Sequence, residues 1–432
     1  MKDEGTQHRG STRRTFMKTA GSAVIASAAL AGASSETARA AGKPRTLKVG
    51  LVGCGSRGTG AARQALTADP NTELVAMADA FEDQLAKSVA DLSGSDVGDR
   101  VRVKNKRKFV GFDAYLDVID SCDVVLLATP PGFRPLHVEA AVRAGKHLFV
   151  EKPIAVDAPG VRSVMASCRL AQEKGINVVS GLCYRYENSK RATIQRVHDG
   201  AIGDILALQA TYNTGGLWHR GHEAEWSAVE YQMRNWLYFD WLSGDHINEQ
   251  HIHSLDKLAW TMNGYPVKAT SSGGRAVRTG AEYGNIYDHF NTVYEWSNGV
   301  KGFSSCRQWE NADTDVSDHV IGTKGTAHLQ QHRIEGHDGS VWQHEKAADD
   351  DMYQNEHYAL FAAIRSEKPI NDGEIMCNST LMAIMARMSA YTGNTISWDE
   401  ALNSTLDLSP KSYEWGDLAV RAVPRPGVSE FV

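Results

Sequence analysis

The sequence predicts an α/β protein in two domains, a doubly wound parallel sheet followed by an α+β domain with a large, mainly antiparallel open sheet. Three observations support this fold class. The chain has 432 residues, which is long for one domain. From Thr46 onward, short apolar strands alternate with helix-like segments. After about residue 182, longer strand-like segments with hairpin turns replace that alternation.

The first predicted domain, residues 44–182, begins with an apolar strand, a glycine turn and a helix in TLKVGLVGCGSRGTGAARQAL. The strand TELVAMAD follows and ends at Asp79, and further strands are predicted in CDVVLLAT, KHLFVEKP and INVVSGLCY. Helix-like segments fill the gaps between them: FEDQLAKSVADL, LHVEAAVRAG and VRSVMASCRLAQEKG. Strands that alternate with helices in this way favour a parallel sheet.

The second predicted domain, residues 183–395, contains the strand-like segments DILALQATYNT, YPVKATSSGGRAV, YDHFNTVYEWSNGVKGFSSCRQ and HVIGTKGTAHLQ. NG and TKG stand where hairpin turns are needed. Helices are predicted around 248–262 and 355–367, and a third in STLMAIMARMSAYTG, which ends at Gly393 as a C-cap would. Residues 396–432 are predicted to be a C-terminal tail packed on the body.

Residues 1–40 have the pattern of a twin-arginine signal peptide. TRRTFMK at 12–18 is followed by a weakly apolar run too short to span a bilayer, and ARA at 38–40 fits a small-x-small cleavage site. The sequence therefore predicts export by the twin-arginine route to the periplasm or another extracytoplasmic space. That route carries folded proteins, often with a cofactor already bound.

Charge and cysteine usage exclude several classes of function. The net charge is −6 and the isoelectric point about 6.2, so neither nucleic acid nor an anionic membrane is an expected partner. The six cysteines show no CxxC or other metal-like spacing, and we expect buried or loop thiols. A small molecule is the expected partner.

The glycine turn predicts a dinucleotide site, because GxGxxG follows a strand, opens a helix and has an acid twenty-one residues after its last glycine. The residues expected to hold the cofactor here are Gly53, Gly55, Ser56, Arg57, Gly58 and Asp79. Asp79 would bind the adenosine ribose hydroxyls and repel a 2′-phosphate, and Ala80 and Phe81 add no positive charge. NAD is therefore expected over NADP.

Several motifs together resemble the glucose–fructose oxidoreductase, inositol dehydrogenase and rhizopine-catabolism (Gfo/Idh/MocA) family. They are GCGSRG at 53–58, ATPP at 128–131, His137 before AAVRAGKH, EKP at 151–153, and His253-x-x-Asp256. The resemblance runs from about Lys48 to Gly393. It implies that the nicotinamide half of the cofactor is lined by Thr129, Pro130, His137, Glu151 and Lys152, and that the protein is a dimer or tetramer.

The segment INEQHIHSLD at 247–256 carries the candidate acid–base residues. On a helix, Glu249 and His253 are spaced i, i+4 and share one face, and Asp256, three residues after His253, lies next to that face. His251 points away from Glu249. We expect His253 to transfer the substrate hydroxyl proton, with Lys152 and Glu249 in support. Relatives usually carry Asp four residues before the histidine, whereas this chain has Glu249. A metal site on His246, Glu249 and His253 and a purely structural polar face remain alternatives.

Substrate contacts are expected where the chain enters the second domain and in its aromatic segments. The candidates are Tyr184, Arg185, Trp218, His219, Arg234, Trp236 and Tyr287. Aromatic faces stack on sugar C–H surfaces, but large aromatics also fill cores, so each of these residues keeps a structural interpretation.

Three functions are compatible with these residues. The first is an NAD-dependent sugar or cyclitol dehydrogenase, our main prediction. The second is a redox-neutral enzyme with tightly bound NAD, either a sugar–sugar oxidoreductase or a glycosidase that oxidises its substrate transiently. The third is a non-catalytic sugar- or NAD-binding protein, which the joint presence of Lys152, Glu249 and His253 disfavours. Exported relatives that hydrolyse amino-sugar glycosides are expected to lack the EKP lysine.

Overall fold

A six-stranded parallel sheet with helices between its strands forms the first part of the protein. The computed structural model describes residues 45–430, so the predicted signal segment at 1–40 lies outside the described residues. The elements are β1 Leu47–Val52, α1 Ser56–Ala68, β2 Thr72–Asp79, α2 Glu82–Ser93, β3 Lys108–Val110, α3 Ala114–Ser121, β4 Val124–Leu127, α4 Arg134–Arg143, β5 His147–Val150, α5 Ala158–Glu173 and β6 Val178–Ser180. The strand order is β3-β2-β1-β4-β5-β6.

The central strands are continuous apolar runs because helices cover both faces of this sheet. All four residues of β4 are fully buried, and Val49 and Leu51 of β1 are 0% exposed. The order reverses between β1 and β4, and the carboxyl ends of the strands at such a switch point form a crevice suited to a ligand.

The second part of the protein is a nine-stranded sheet with helices on one side. The elements are α6 Asn188–His198, β7 Ile205–Thr214, α7 Ala228–Arg234, α8 Asp240–Ser243, α9 His246–Glu249, α10 Ile252–Met262, β8 Lys268–Gly274, β9 His289–Glu295, β10 Lys301–Gln308, β11 Asp315–Gly322, β12 Gly325–His328, β13 Arg333–Gly336, β14 Val341–Gln343, α11 Met352–Ser366, α12 Gly373–Thr392, β15 Ile396–Ser397 and α13 Trp398–Asn403. The strand order is β14-β13-β12-β11-β7-β10-β9-β8-β15.

Every pairing in this sheet is antiparallel except that of β7 with β10, which is parallel. The β9–β10 hairpin turns at Asn298 and Gly299, and Gly299 has φ +86° as such a turn requires. The β11–β12 hairpin turns at the predicted TKG. The predicted fold class, a parallel sheet followed by a mainly antiparallel one, is therefore confirmed.

The last helices of the chain return to the first sheet. Helix α11 packs on α1, and Asp372, just before α12, accepts a hydrogen bond from the backbone N–H of Ser180 in β6 at 2.9 Å. Helix α12 is buried on nearly all sides, because it packs against α5, α10 and the second sheet. It ends at Gly393 with φ +81°, the predicted left-handed C-cap.

Two further features concern the chain as a whole. All six cysteines are buried free thiols. Among residues 45–430, no helix combines the length and the apolar character needed to cross a lipid bilayer.

Candidate functional site

The glycine turn between β1 and α1 has the geometry of a phosphate cradle. Gly53 has φ +94°, and a Cβ there would lie 2.7 Å from the backbone of Ala128 and Thr129. A Cβ on Gly58 would lie 1.9 Å from the Gly53 carbonyl oxygen. At Gly55, by contrast, a Cβ would meet no protein atom within 4 Å. Gly53 and Gly58 are therefore needed for packing, and Gly55 leaves open space in front of the turn.

This open space lies at the N-terminus of α1, whose N-cap residue Gly55 provides no side-chain cap. Gly55, Ser56 and Arg57 all line the adjoining cleft. Free backbone N–H groups and the helix dipole make such an end an anion site, so the turn fits the pyrophosphate of a dinucleotide.

Asp79 ends β2 beside the turn. Its carboxylate accepts hydrogen bonds from the backbone N–H of Cys54 at 2.6 Å and of Phe81 at 2.9 Å. Burial raises the pKa of Asp79, while these two hydrogen bonds oppose that shift. The backbone thus holds the carboxylate at the cleft wall, where a ribose would meet it.

A single cleft of about 790 Å³ connects this turn with the predicted acid–base residues. Its lining includes every predicted cofactor residue: Gly53, Gly55, Ser56, Arg57, Gly58, Asp79, Thr129, Pro130, His137, Glu151 and Lys152. Glu249 and His253 line the same cleft. Because β4 and β5 end beside Thr129 and Lys152, these residues lie on the opposite side of the switch point from Asp79.

Lys152 and Glu249 form an ion pair across the cleft. The Lys152 Nζ donates to Glu249 Oε1 at 3.0 Å and to the Glu249 backbone carbonyl at 2.5 Å. Only 14% and 15% of their side chains are exposed, so water screens the pair weakly. Glu249 therefore holds the Lys152 ammonium in position. The sequence analysis expects Glu249 only to support His253.

His253 lies at the start of α10 with its Nδ1 buried and without a protein hydrogen-bond partner among the described residues. The ring edge packs against Tyr184 at 5.4 Å between centroids. Burial lowers the pKa of His253 well below its ordinary value, and the positive charges of Lys152, Lys257 and Arg57 lower it further. The imidazole is thus held neutral, as a proton acceptor must be.

The predicted continuous helix through 248–262 is broken at Gln250 and His251, between α9 and α10. At the break, the His251 N–H reaches the His246 carbonyl five residues back at 3.2 Å. Such a local widening is common near functional sites. Glu249 and His253 therefore reach the cleft from two helices, and their side chains follow different helix axes.

The alternative metal cluster does not form, because His246 lies outside the cleft that Glu249 and His253 line. The His246 Nδ1 contacts Asp245 Oδ1 at 3.0 Å, and its ring packs near Phe290. Within residues 45–430, no group of three His, Cys, Asp or Glu side chains could hold a metal ion.

Two residues of the same segment have structural partners. His251 is fully buried, and its Nε2 lies 2.6 Å from Ser304 Oγ. The Asp256 carboxylate accepts hydrogen bonds from Nε and Nη2 of Arg185, both at 2.9 Å, and from the Ser379 hydroxyl at 2.6 Å. Arg185 is thereby held away from the cleft, although the sequence placed it at the substrate.

Three other predicted substrate residues also lie outside the cleft lining. Tyr287 is 2% exposed, and its hydroxyl donates to the Pro424 carbonyl at 2.9 Å. The His219 Nε2 lies 3.1 Å from the Glu282 carbonyl, and Tyr184 forms the wall behind His253. The residue type alone, aromatic or polar, does not show whether a side chain is packed in the protein interior or lines a pocket.

Trp218, Arg234 and Trp236 do line the cleft, as expected of substrate residues. Arg234, however, lies 4.2 Å from the Phe81 ring centroid, next to the strand end that carries Asp79. It also pairs with Asp83 at 3.2 Å and with Glu230 at 2.9 Å. Arg234 therefore lies at the Asp79 end of the cleft, whereas the sequence analysis expects it to contact the substrate.

Other lining residues carried no motif. Tyr353 of α11 stacks on Arg57 at 4.8 Å, and Arg57 also binds the buried carboxylates of Glu151 and Glu356. The Arg134 guanidinium donates to the Thr129 carbonyl at 2.6 Å. The Arg57–Glu356 contact joins residues 299 apart, so the local sequence held no signal for it.

His137 stands behind Thr129, with 3.3 Å between the Thr129 Oγ1 and the imidazole Nδ1. Burial, aided by the Arg134 charge, lowers the pKa of His137 to about 3. A neutral imidazole at this wall would orient the threonine hydroxyl without adding positive charge near the nicotinamide side.

Family models match both parts of this architecture. The GFO_IDH_MocA oxidoreductase family, NAD-binding Rossmann fold, matches residues 47–181, and the GFO/IDH/MocA C-terminal domain matches residues 161–328. Together they cover more than half of the chain. The protein thus belongs to the Gfo/Idh/MocA oxidoreductase family, and the glycine turn lies within the residues that match its NAD-binding Rossmann model.

The curated sequences to which the chain is similar carry the names of more than one class of enzyme. Inositol 2-dehydrogenase of Rhizobium meliloti is 24% identical over 288 residues, 67% of this chain and 77% of that protein. A glycosyl hydrolase family 109 protein of Shewanella amazonensis is 29% identical over 274 residues, 59% of this chain and 56% of that protein. An uncharacterized oxidoreductase of Streptococcus pneumoniae is 27% identical over 240 residues, 54% and 60% of the two chains. The matched region thus spans little more than half of the length of each of the last two proteins.

Solved structures share the fold over most of its length. A levoglucosan dehydrogenase in complex with NADH and levoglucosan has a TM-score of 0.64 at 18% identity, covering 81% of this chain and 99% of the other. Aldose–aldose oxidoreductase of Caulobacter crescentus, complexed with glycerol, has a TM-score of 0.64 at 18% identity, covering 82% and 100%. At these identities the similarity establishes the fold.

Proposed function

We propose that the protein is an NAD-dependent oxidoreductase that oxidises a CH–OH group of a sugar or cyclitol. The observation that carries this proposal is the meeting of Lys152, Glu249 and His253 in the cleft that contains the glycine turn. Bound NAD would supply the hydride acceptor. The residues themselves must bind the substrate, take up its hydroxyl proton and exclude water.

His253 is the proposed base. With Nδ1 buried, Nε2 is the ring nitrogen available to the cleft, and the depressed pKa keeps it unprotonated. A substrate hydroxyl bonded to both Nε2 of His253 and Nζ of Lys152 would lose its proton to the imidazole. The lysine ammonium would stabilise the developing alkoxide, and Glu249 would hold that ammonium in place.

NAD is the proposed form of the cofactor. Asp79 and Asp83 place two carboxylates beside the ribose position. Arg234, the cation next to Phe81, is already paired with Asp83 and Glu230. It therefore offers no free charge to a 2′-phosphate.

A redox-neutral reaction with retained NAD is the second candidate. The resemblance to a glycosyl hydrolase family 109 protein and the shared fold with an aldose–aldose oxidoreductase favour it. The proposed export adds support, since free NAD is scarce outside the cytoplasm. We further propose a periplasmic location and a homo-oligomer, which fractionation of cells and light scattering would test.

Substitution of the two central residues tests the chemistry. We expect Lys152→Ala and His253→Ala to lower kcat about 10²- to 10⁴-fold on a confirmed polyol or sugar, because each removes a group that acts mainly in the transition state. NAD affinity should change little. The measurement is NADH absorbance on a panel of cyclitols and sugars, alongside NAD titration.

Lys87→Ala provides a matched control, since Lys87 is an exposed lysine of α2 outside the cleft lining. It should turn over at the wild-type rate. Wild-type turnover by both K152A and H253A would exclude this mechanism. For the redox-neutral candidate, the same variants are assayed on glycosides and sugar pairs without added NAD.

A further inference from the structure

A separate hydrophobic cluster covers the adenosine end of the cleft. Residues 217–238, here called the roof, and residues 406–418, here called the tail strap, contribute to it together with residues 239–242 and Ile286. Their buried members pack with Phe133 of the first domain, and Phe81 and Phe112 pack against the cluster. The rest of the core forms two larger clusters, one that joins both sheets and one against the first sheet, and this cluster is separate from both.

The position of the cluster identifies which end of the cleft it covers. Phe81 follows β2 by two residues, and Phe112 follows β3 by two residues. In a doubly wound sheet, the half on the β2 and β3 side of the switch point receives the adenosine, and the β4 and β5 half faces the nicotinamide. The roof therefore lies over the adenosine half.

Arg234 joins the roof to the first domain. Its guanidinium lies 4.2 Å from the Phe81 ring centroid and 5.0 Å from that of Trp226. It also forms two hydrogen bonds to the Asp83 carboxylate, at 3.2 and 3.3 Å. Both Arg234 and Trp226 line the cleft.

The tail strap contacts both the roof and the first domain from outside the cleft. Trp415 packs on Phe112 at 4.6 Å and on Phe81 at 5.4 Å between ring centroids. The Val229 N–H of α7 donates to the Gly416 carbonyl at 3.0 Å, and the Gln232 amide donates to the Leu418 carbonyl at 2.8 Å. Trp415 itself is outside the cleft lining, so it acts through the residues that it holds.

We propose that roof and tail strap form a clasp that retains the dinucleotide through many turnovers. The adenosine half is then enclosed by Phe81, Trp226 and Arg234 in addition to Asp79. Release requires the Arg234–Asp83 contacts and the Trp415 stacking to separate, which slows dissociation. The clasp rests on the NAD site of the proposed function and not on its proton chemistry. A retained cofactor suits a redox-neutral cycle.

Dissociation of NADH in the absence of substrate tests the clasp directly. Protein loaded with NADH is mixed with a large excess of NAD⁺, and the loss of bound-nicotinamide fluorescence gives the release rate. We expect Trp415→Ala and Arg234→Gln each to release NADH at least about tenfold faster than wild type. Trp415→Phe, which keeps an aromatic ring on Phe81 and Phe112, should stay within about threefold.

Two surface variants serve as controls. Tyr358→Ala removes an aromatic residue of α11 that is 46% exposed, and Arg63→Ala removes an exposed ion pair with Asp96. Both should release NADH at the wild-type rate. Equal rates for wild type, W415A and R234Q, with folding verified by circular dichroism, would overturn the clasp.

Failure of the clasp and failure of the proposed chemistry give different results. His253→Ala should lose turnover and still release NADH at the wild-type rate if both proposals hold. Fast release from wild type together with normal dehydrogenase turnover refutes only the clasp. Slow release together with unimpaired turnover of K152A and H253A refutes only the mechanism.

Discussion

At the scale of single residues, His253 is surrounded by cations. Lys152, Lys257 and Arg57 each disfavour its protonated form, and Lys257 itself lies 4.3 Å from the Tyr184 ring that packs on His253. A histidine with an ordinary pKa of about 6.5 would be partly protonated near neutral pH. Here burial and the three cations keep His253 unprotonated, and so able to accept a proton, at lower pH as well.

The pH dependence of turnover should reflect this environment. Because the pKa of His253 is lowered, kcat/KM for oxidation should not fall as pH decreases through about 6.5, and the acidic limb should appear well below that value. The measurement is a pH profile of kcat/KM for wild type. Lys257→Met, which removes one of the cations, should move the acidic limb upward, whereas K87A should leave it in place.

Residue type and spacing predicted which residues line the cleft around the glycine turn, but not which of the candidate substrate residues line it. GxGxxG and EKP each follow a predicted strand and contain residue types that are unusual at that place in other folds. The pattern was therefore sufficient to predict their positions at the ends of the strands. Arg185 and Tyr287 are polar residues whose partners, Asp256 and Pro424, lie far along the chain. No local pattern indicates whether such a side chain faces a pocket or a buried partner.

At the scale of elements, the glycine turn offers a matched pair of substitutions. Gly58→Ala places a methyl group against the Gly53 carbonyl, and overpacking of this kind costs about 1–3 kcal/mol of the free energy of unfolding. Gly55→Ala meets no protein atom, so the free protein should lose less than about 1 kcal/mol. Its methyl group instead occupies the space in front of the turn, and NAD affinity should fall about tenfold or more.

Urea unfolding without cofactor and NAD titration separate these two effects. A Gly55→Ala protein that binds NAD as wild type does would contradict the assignment of the turn to the pyrophosphate. Gly60→Ala is the control, because Gly60 is a helical glycine of α1 whose added Cβ makes only an ordinary contact with Arg57 at 3.7 Å.

At this scale, the apolar patterns predicted even the short strands β4, β5 and β6, whereas an interrupted helix was not predicted. TELVAMAD forms β2 from Thr72 to Asp79, and α12 ends at Gly393, both as predicted. The break between α9 and α10 was missed because the sequence INEQHIHSLD has a helical pattern throughout, without glycine or proline. The parallel pairing of β7 with β10 was also missed, since it joins strands distant in sequence.

At the scale of the whole molecule, buried histidines link stability to pH. Burial lowers the pKa of His251 to about 3, so between that value and about 6.5 the unfolded chain binds more protons than the folded one. Stability is therefore fully present above the unfolded pKa and is lost as pH falls. For His251 alone the loss between about pH 7 and about pH 5 is about 2 kcal/mol.

His251→Gln should reduce that loss, because glutamine does not titrate and its amide can still reach Ser304. The measurement is urea unfolding of cofactor-free wild type and H251Q at both pH values. The expected result is a smaller difference for H251Q, whatever its absolute stability. An unchanged difference would show that His251 is not responsible. His222→Gln, at an exposed histidine of the roof, is the control.

The clasp also sets an order of events during biosynthesis. The residues proposed to bind the pyrophosphate and ribose lie before residue 80, whereas the tail strap at 406–418 follows more than 300 residues later. Chains fold from the N-terminus as they are made, so the first sheet forms while the clasp is still missing. A dinucleotide that enters at this stage is enclosed when the tail strap docks. Loading is therefore easiest for the newly made protein and hardest for the finished one.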